Sequence, residues 1–131
     1  MGQGSEKINK VLMKRISKQG FSFILSKKGD ESMEQVEYEI DNETLKVILP
    51  NEVDHCNTVS IRKEADLHIY SGRVKNVEFD FTNTKFMDSS GIGMIMGRHK
   101  LIKPLGGKII LTGVRDNVER IINVSGLYKL L

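Results

Sequence analysis

Phe86-Met87-Asp88-Ser89-Ser90-Gly91-Ile92-Gly93 is where an extended run gives way to a glycine-studded helix. Upstream, Val77-Glu78-Phe79-Asp80-Phe81 alternates apolar and acidic residues, the period of a strand with one buried face. Downstream, the run from Gly91 to Ile102 reads as a helix, stopped by Pro104 and the Gly106-Gly107 turn. The two serines therefore fall on a loop or first helical turn. Their hydroxyls are reachable, and the free N–H groups and positive dipole end of the helix suit a site that carries or contacts phosphate. Asp88, Ser89 and Ser90 also compete to cap this helix, with Ser90 expected to cap and Ser89 to stay free. Glycines at 91, 93 and 97 cost roughly 1 kcal/mol each relative to alanine, which predicts close approach to the sheet or to a partner.

Working outward, Val36, Tyr38 and Ile40 alternate with Glu37 and Glu39, Asp41-Asn42 makes a turn, and Leu45 to Leu49 returns as the second strand of a hairpin ended by Pro50. Asp54 is a good N-cap for a helix with Thr58, Ile61, Ala65 and Ile69 on one face. Strands joined by a helical crossover of this length are expected to run parallel. Ile109-Ile110-Leu111 reads as a short buried strand. Asp116 and Glu119 read as a capping box, opening a helix with Val118, Ile121 and Ile122 inward and Gly126 just past its end. The alternation predicts an α/β domain: a central mixed sheet of about four or five strands, with helices over 54–71, 90–103 and 116–125 packed mainly on one face. Ile61, Ala65, Ile69, Ile92, Ile95, Ile121 and Ile122 should bury against Val47, Leu49, Phe79, Ile109 and Leu111.

At 131 residues the chain fits one domain with a single core. Its net charge of +3 is unevenly placed: residues 1–30 hold seven Lys/Arg and two acids, leaving thirteen and fifteen for the rest. The basic character belongs to an arm, which argues against a nucleic-acid surface on the domain. A lone Cys56 excludes an internal disulfide and is compatible with a reducing compartment, so the cytoplasm is the expected location. No apolar run approaches the roughly 18 residues of a membrane span. In the arm, Ile8, Leu12 and Ile16 recur at helical spacing with Val11 beside them, which predicts a basic amphipathic helix ending near Gly20. An extended piece over Phe21 to Leu25 and a turn over Lys27 to Asp30 should follow. Met33 opens a self-sufficient unit, so residues 1–32 are expected to be accessory and dispensable for partner binding.

Several chemistries fail on spacing. His55 and Cys56 are adjacent while His68 and His99 lie on separate helices, so no metal-ligand or nucleophile–base set forms, and no cofactor site is expected. Met87 stands where a nucleophile elbow needs glycine, and Gly106-Gly107-Lys108 lacks the Ser/Thr and leading glycine of a P-loop. Gly91-Ile92-Gly93 has its third glycine one place late for a dinucleotide fingerprint, leaving nucleotide binding as a weak alternative.

The Phe86–Gly93 run, with Arg98-His99-Lys100, Gly106-Gly107, Val118-Glu119-Arg120-Ile121 and Ser125-Gly126-Leu127, closely resembles the STAS domains of bacterial anti-sigma-factor antagonists, especially the sporulation sigma-F type. The likeness extends from about Met33 to Leu131, and Pro50 to His55 resembles the family's Gly-Glu-Leu-Asp segment, with Asn51 in place of the glycine. The family's usual last helix has no counterpart after Leu131. The resemblance implies a STAS fold and a regulator without catalytic activity. Unphosphorylated, such a protein binds an anti-sigma factor that is also a serine kinase and frees the sigma factor. Phosphorylated on the serine after the aspartate, here Ser89, it lets go, and a PP2C-type phosphatase resets it. By the same resemblance Asp54, Asp88, Ser89, Ser90, Gly91, Gly93 and Met94 are the partner-binding residues. The alternatives are a STAS interaction module of a signalling scaffold and a small nucleotide-binding protein.

Overall fold

The structure, a computed structural model, describes the backbone of residues 9–17, 20–27 and 36–131 and the side chains of 20–23 and 36–131. Alternation sets the sheet. β3 (Val36–Asp41) and β4 (Thr44–Ile48) form an antiparallel hairpin, turning at Asn42, whose φ of 57° is the left-handed conformation that asparagine tolerates. β6 (Asn76–Asp80) pairs in parallel with β4, and β8 (Ile109–Thr112) in parallel with β6, giving the expected mixed sheet. Leu45, Val47, Val77 and Phe79 on one sheet face are fully buried, while Lys46, Glu78 and Asp80 on the other face are partly exposed.

Helices α1 (Thr58–Tyr70), α2 (Ser89–Ile102) and α3 (Asp116–Ser125) cover the apolar face. Ile61, Ala65, Ile69, Ile92, Ile95 and Ile122 join Val47, Leu49, Phe79 and Ile109 in one core; Ile121 and Leu111 pack only at its margin. The glycine at 107 explains itself, because a Cβ there would lie 1.6 Å from the Lys75 carbonyl oxygen. α1 and α2 are tied by Arg98, whose Nε lies 2.8 Å from Asp66 Oδ1 and whose Nη1 donates to the Met94 carbonyl.

The helix starts or their caps differ from expectation in three places. α1 begins at Thr58, and Asp54 caps the turn before it, accepting from the N–H groups of Cys56 and Asn57 at 2.9 and 3.1 Å. α2 begins at Ser89, and its cap is Asp88, not Ser90. α3 begins at Asp116 with φ of 51° and no side-chain cap, so the expected Asp116–Glu119 box does not form; a capping residue needs extended backbone, which Arg115 has instead.

The arm departs most. Where the spacing of Leu12 and Ile16 predicts a helix, β1 (Asn9–Ser17) pairs antiparallel with β2 (Gly20–Lys27), and β2 pairs with the outer edge of β3. The main sheet thus has six strands, in the order β1-β2-β3-β4-β6-β8. An isolated amphipathic helix of this length is marginal, and β2, itself paired along the β3 edge, offers β1 a full row of backbone partners instead. Phe23 is buried, stacked on Tyr38 at 5.0 Å between ring centroids and 5.7 Å from the His68 ring of α1. Burial there, and secondarily the Glu64 carboxylate, push the Tyr38 phenol well above its usual range. The Lys28–Asp30 part of the expected turn, and Met33, lie outside the described residues.

Candidate functional site

A second, two-stranded sheet that alternation did not reveal assembles the site. β5 (Glu52–Val53) runs parallel to β7 (Phe86–Met87), so the segment entering α1 and the segment entering α2 are stitched side by side. The stitches continue past the strands: Lys85 N–H donates to the Asn51 carbonyl at 2.8 Å, Asp88 N–H to the Val53 carbonyl at 3.1 Å, and the buried Thr84 hydroxyl to the Pro50 carbonyl at 2.7 Å. Asn57 locks the turn from within, accepting from the Asp54 N–H and donating to the Glu52 carbonyl. Asp54 and Asp88 are each the first residue beyond the paired strands, which sets side by side two acidic residues 34 positions apart in sequence.

Asp88 is extended, with φ of −99°, and its Oδ1 accepts from the Ser90 N–H at 2.8 Å. The Ser90 hydroxyl donates to the same oxygen. The Ser90 hydroxyl bond is the main cause that holds the Asp88 carboxyl below its ordinary value; the Ser90 N–H and the backbone N–H and charge of His55 add to it against some desolvation. Replacing Asp88 by Ala should cost about 1 kcal/mol of stability through the lost cap. A urea titration checks this, and an unchanged midpoint would mean that the cap contributes nothing.

Ser89 is exposed, and its hydroxyl has no hydrogen-bond partner among the described residues. Ser90 is half-buried with its hydroxyl engaged. Ser90, expected to cap the helix, instead donates to the Asp88 cap and does not form it. Gly91 is a close approach, since a Cβ there would sit 2.4 Å from Met87 Cγ and Sδ and 3.3 Å from Val53 Cγ1. Met94 is buried in the core at 1% exposure, so it acts by packing behind the surface. Gly93 is different. It is exposed, helical in backbone, and nothing lies within 4 Å of the Cβ position; Gly97, one turn on, is half-buried, with its Cβ position likewise empty. The outer face of α2 therefore runs Ser89, Gly93, Gly97 with bare backbone beside a free hydroxyl.

His55 and exposed Cys56 complete the β5–α1 turn, with His55 Nε2 3.7 Å from Cys56 Sγ. Their place beside Asp88 depends on the β5–β7 pairing, for which the only sequence signal is the extended Glu52-Val53 before Asp54. Among the described residues no cluster of three or more His, Cys, Asp or Glu could hold a metal ion, and no helix is long and apolar enough to cross a membrane.

Residues 35–131 match the STAS domain family. The chain is 36% identical over 97 residues to the anti-sigma F factor antagonist of Paenibacillus polymyxa, an alignment spanning 74% of this chain and 83% of that one. Among solved structures it is similar to the anti-sigma factor antagonist SpoIIAA in its unphosphorylated form, at 31% identity and a TM-score of 0.67 over 70% of this chain and 81% of that one. The phosphorylated form of the Bacillus cell fate determinant SpoIIAA is similar at 29% identity and a TM-score of 0.63, over 72% and 86% of the two chains.

Proposed function

This chain belongs to the STAS domain family, and from that premise we propose that it is an anti-sigma factor antagonist whose binding is switched at Ser89. The observation that carries the reading is the division of labour at the start of α2. Asp88 and Ser90 satisfy the helix end between them, leaving the Ser89 hydroxyl exposed and unbonded. A serine that the fold does not use can enter a kinase cleft.

Unmodified, the outer face of α2 and the Asp54 turn bind an anti-sigma factor that is also a serine kinase, and the sigma factor is released. Transfer of a phosphoryl group to Ser89 adds about −1.5 to −2 charges. The fold tolerates an anion beside a helix N-terminus, whereas a closely packed partner does not. The antagonist then dissociates, and a PP2C-type phosphatase restores it. No chemistry is asked of the chain itself, and the exchange takes place in the cytoplasm where these partners reside. The unit that performs it is residues 33–131, with 1–32 as an accessory arm to binding.

The test is incubation of the chain with an anti-sigma F kinase, its sigma factor and ATP, read by co-purification and intact mass. Capture of the anti-sigma factor before ATP, and one phosphate on Ser89 with release after it, are expected; no capture in either state would refute the reading.

Gly93 supplies a second prediction. Its alanine variant should gain about 0.5–1 kcal/mol of fold stability, since the Cβ meets nothing. The same methyl, standing on the binding face, should lower affinity for the anti-sigma factor about tenfold. Thermal melting and a binding isotherm on one preparation separate the two effects. Unchanged affinity would remove the outer face of α2 from the interface.

A further inference from the structure

A phosphoryl group on Ser89 would stand among carboxylates. Asp88 precedes it, with its acidity increased by the Ser90 bonds, and Asp54 ends the neighbouring strand. Like charges so close oppose the phosphate dianion. The chain brings a basic side chain to the same place. The parallel register of Val53 with Met87, prolonged by the bond from the Asp88 N–H to the Val53 carbonyl, sets residues 54–55 beside residues 88–89. His55 is exposed there, and both its backbone N–H and its ring act on the Asp88 carboxylate. The ring's close polar neighbour is Cys56 Sγ at 3.7 Å, a weak hydrogen-bonding group that an anion readily displaces. Asp88 faces it from the α2 side, Asp54 and Cys56 belong to its own turn, and Glu52 and Lys85 flank the paired strands.

Resting on the reading that Ser89 carries the switch phosphate, we propose that His55 is the residue that receives it: the imidazolium of the β5–α1 turn pairs with the phosphate and offsets the charges of Asp54 and Asp88. Phosphorylation then draws the Asp54 turn toward α2, so the modified surface differs from the unmodified one in posture as well as charge.

The full chain carrying phosphoserine at position 89, introduced by genetic encoding, tests this without any kinase. Phosphorus NMR follows the second ionisation of the phosphate, near pH 6 for an unperturbed group. The midpoint in the native chain should lie about one pH unit below that of His55→Gln. His55→Lys should keep it low, and Lys85→Gln should leave it at the native value. All three positions are exposed, and melting curves confirm that each variant is folded. Coincident midpoints for the native chain and His55→Gln overturn the proposal, and so does a low midpoint confined to His55→Lys. A native shift abolished by Lys85→Gln also overturns it, by moving the role to Lys85. If an anti-sigma kinase does not phosphorylate Ser89, the switch reading fails while these midpoints still report on His55.

Discussion

Ser89→Asp is expected to lower affinity for the anti-sigma factor by about 100-fold, roughly 2.7 kcal/mol, while leaving the fold intact. The carboxylate stands at the exposed start of α2, where the free protein solvates it and the helix dipole favours it. A partner that desolvates it next to Asp88 would leave it a buried charge without a counter-ion, at a cost of about 2–5 kcal/mol. Ser89→Ala should do the opposite: full binding, no phosphate incorporation and a permanently active antagonist. Ser90→Ala should still accept phosphate and lose less than about 1 kcal/mol of stability, because the Ser90 N–H keeps its bond to Asp88 when the hydroxyl is gone. Isothermal titration against the anti-sigma factor and phosphopeptide mapping decide the matter. Phosphate on Ser90, or incorporated normally into Ser89→Ala, would show that the wrong hydroxyl has been assigned.

Phe23→Ala should destabilise the fold by about 3 kcal/mol. This residue lies in the arm, before the stretch that matches the STAS family, yet it is only 5% exposed, stacked on Tyr38 and tilted against the His68 ring. Truncation leaves a cavity against Tyr38 and loosens β2 from β3. The effect should be one of stability and not of recognition. His68 is in the last turn of α1 and Asp54 precedes its first, which at 1.5 Å per residue separates the stack from the site by about 20 Å. Affinity of the folded variant for the anti-sigma factor should therefore stay within about tenfold of native, as should that of a chain lacking residues 1–32. Chemical denaturation followed by a binding isotherm tests both halves. A native-like midpoint would mean that β2 does not pack as part of the core, and a large loss of affinity would place the arm in the interface.

Local pattern alone carries most of the domain. The strict alternation of Val36 to Ile40 and Val77 to Phe81 can bury only one face, so it defines strands and their orientation together. Ile61, Ala65 and Ile69 at helical spacing define α1 and its inward side in the same way. Asp-Ser-Ser before a glycine-bearing helix marks the site, because short polar side chains and free N–H groups coincide there whatever the rest of the chain does. Tertiary structure decided the remainder. Lys10 to Ile16 has a helical period and still forms a strand, since its partner is β2, which is itself held along the edge of β3. Asp116 looks like a capping residue, yet its backbone is left-handed and the extended residue before the helix is Arg115, which no local pattern marks. Asp54, His55, Asp88 and Ser89 become neighbours only through β5 and β7, two-residue strands too short for any period to register; hydrogen bonds between loops, not side-chain pattern, bring them together.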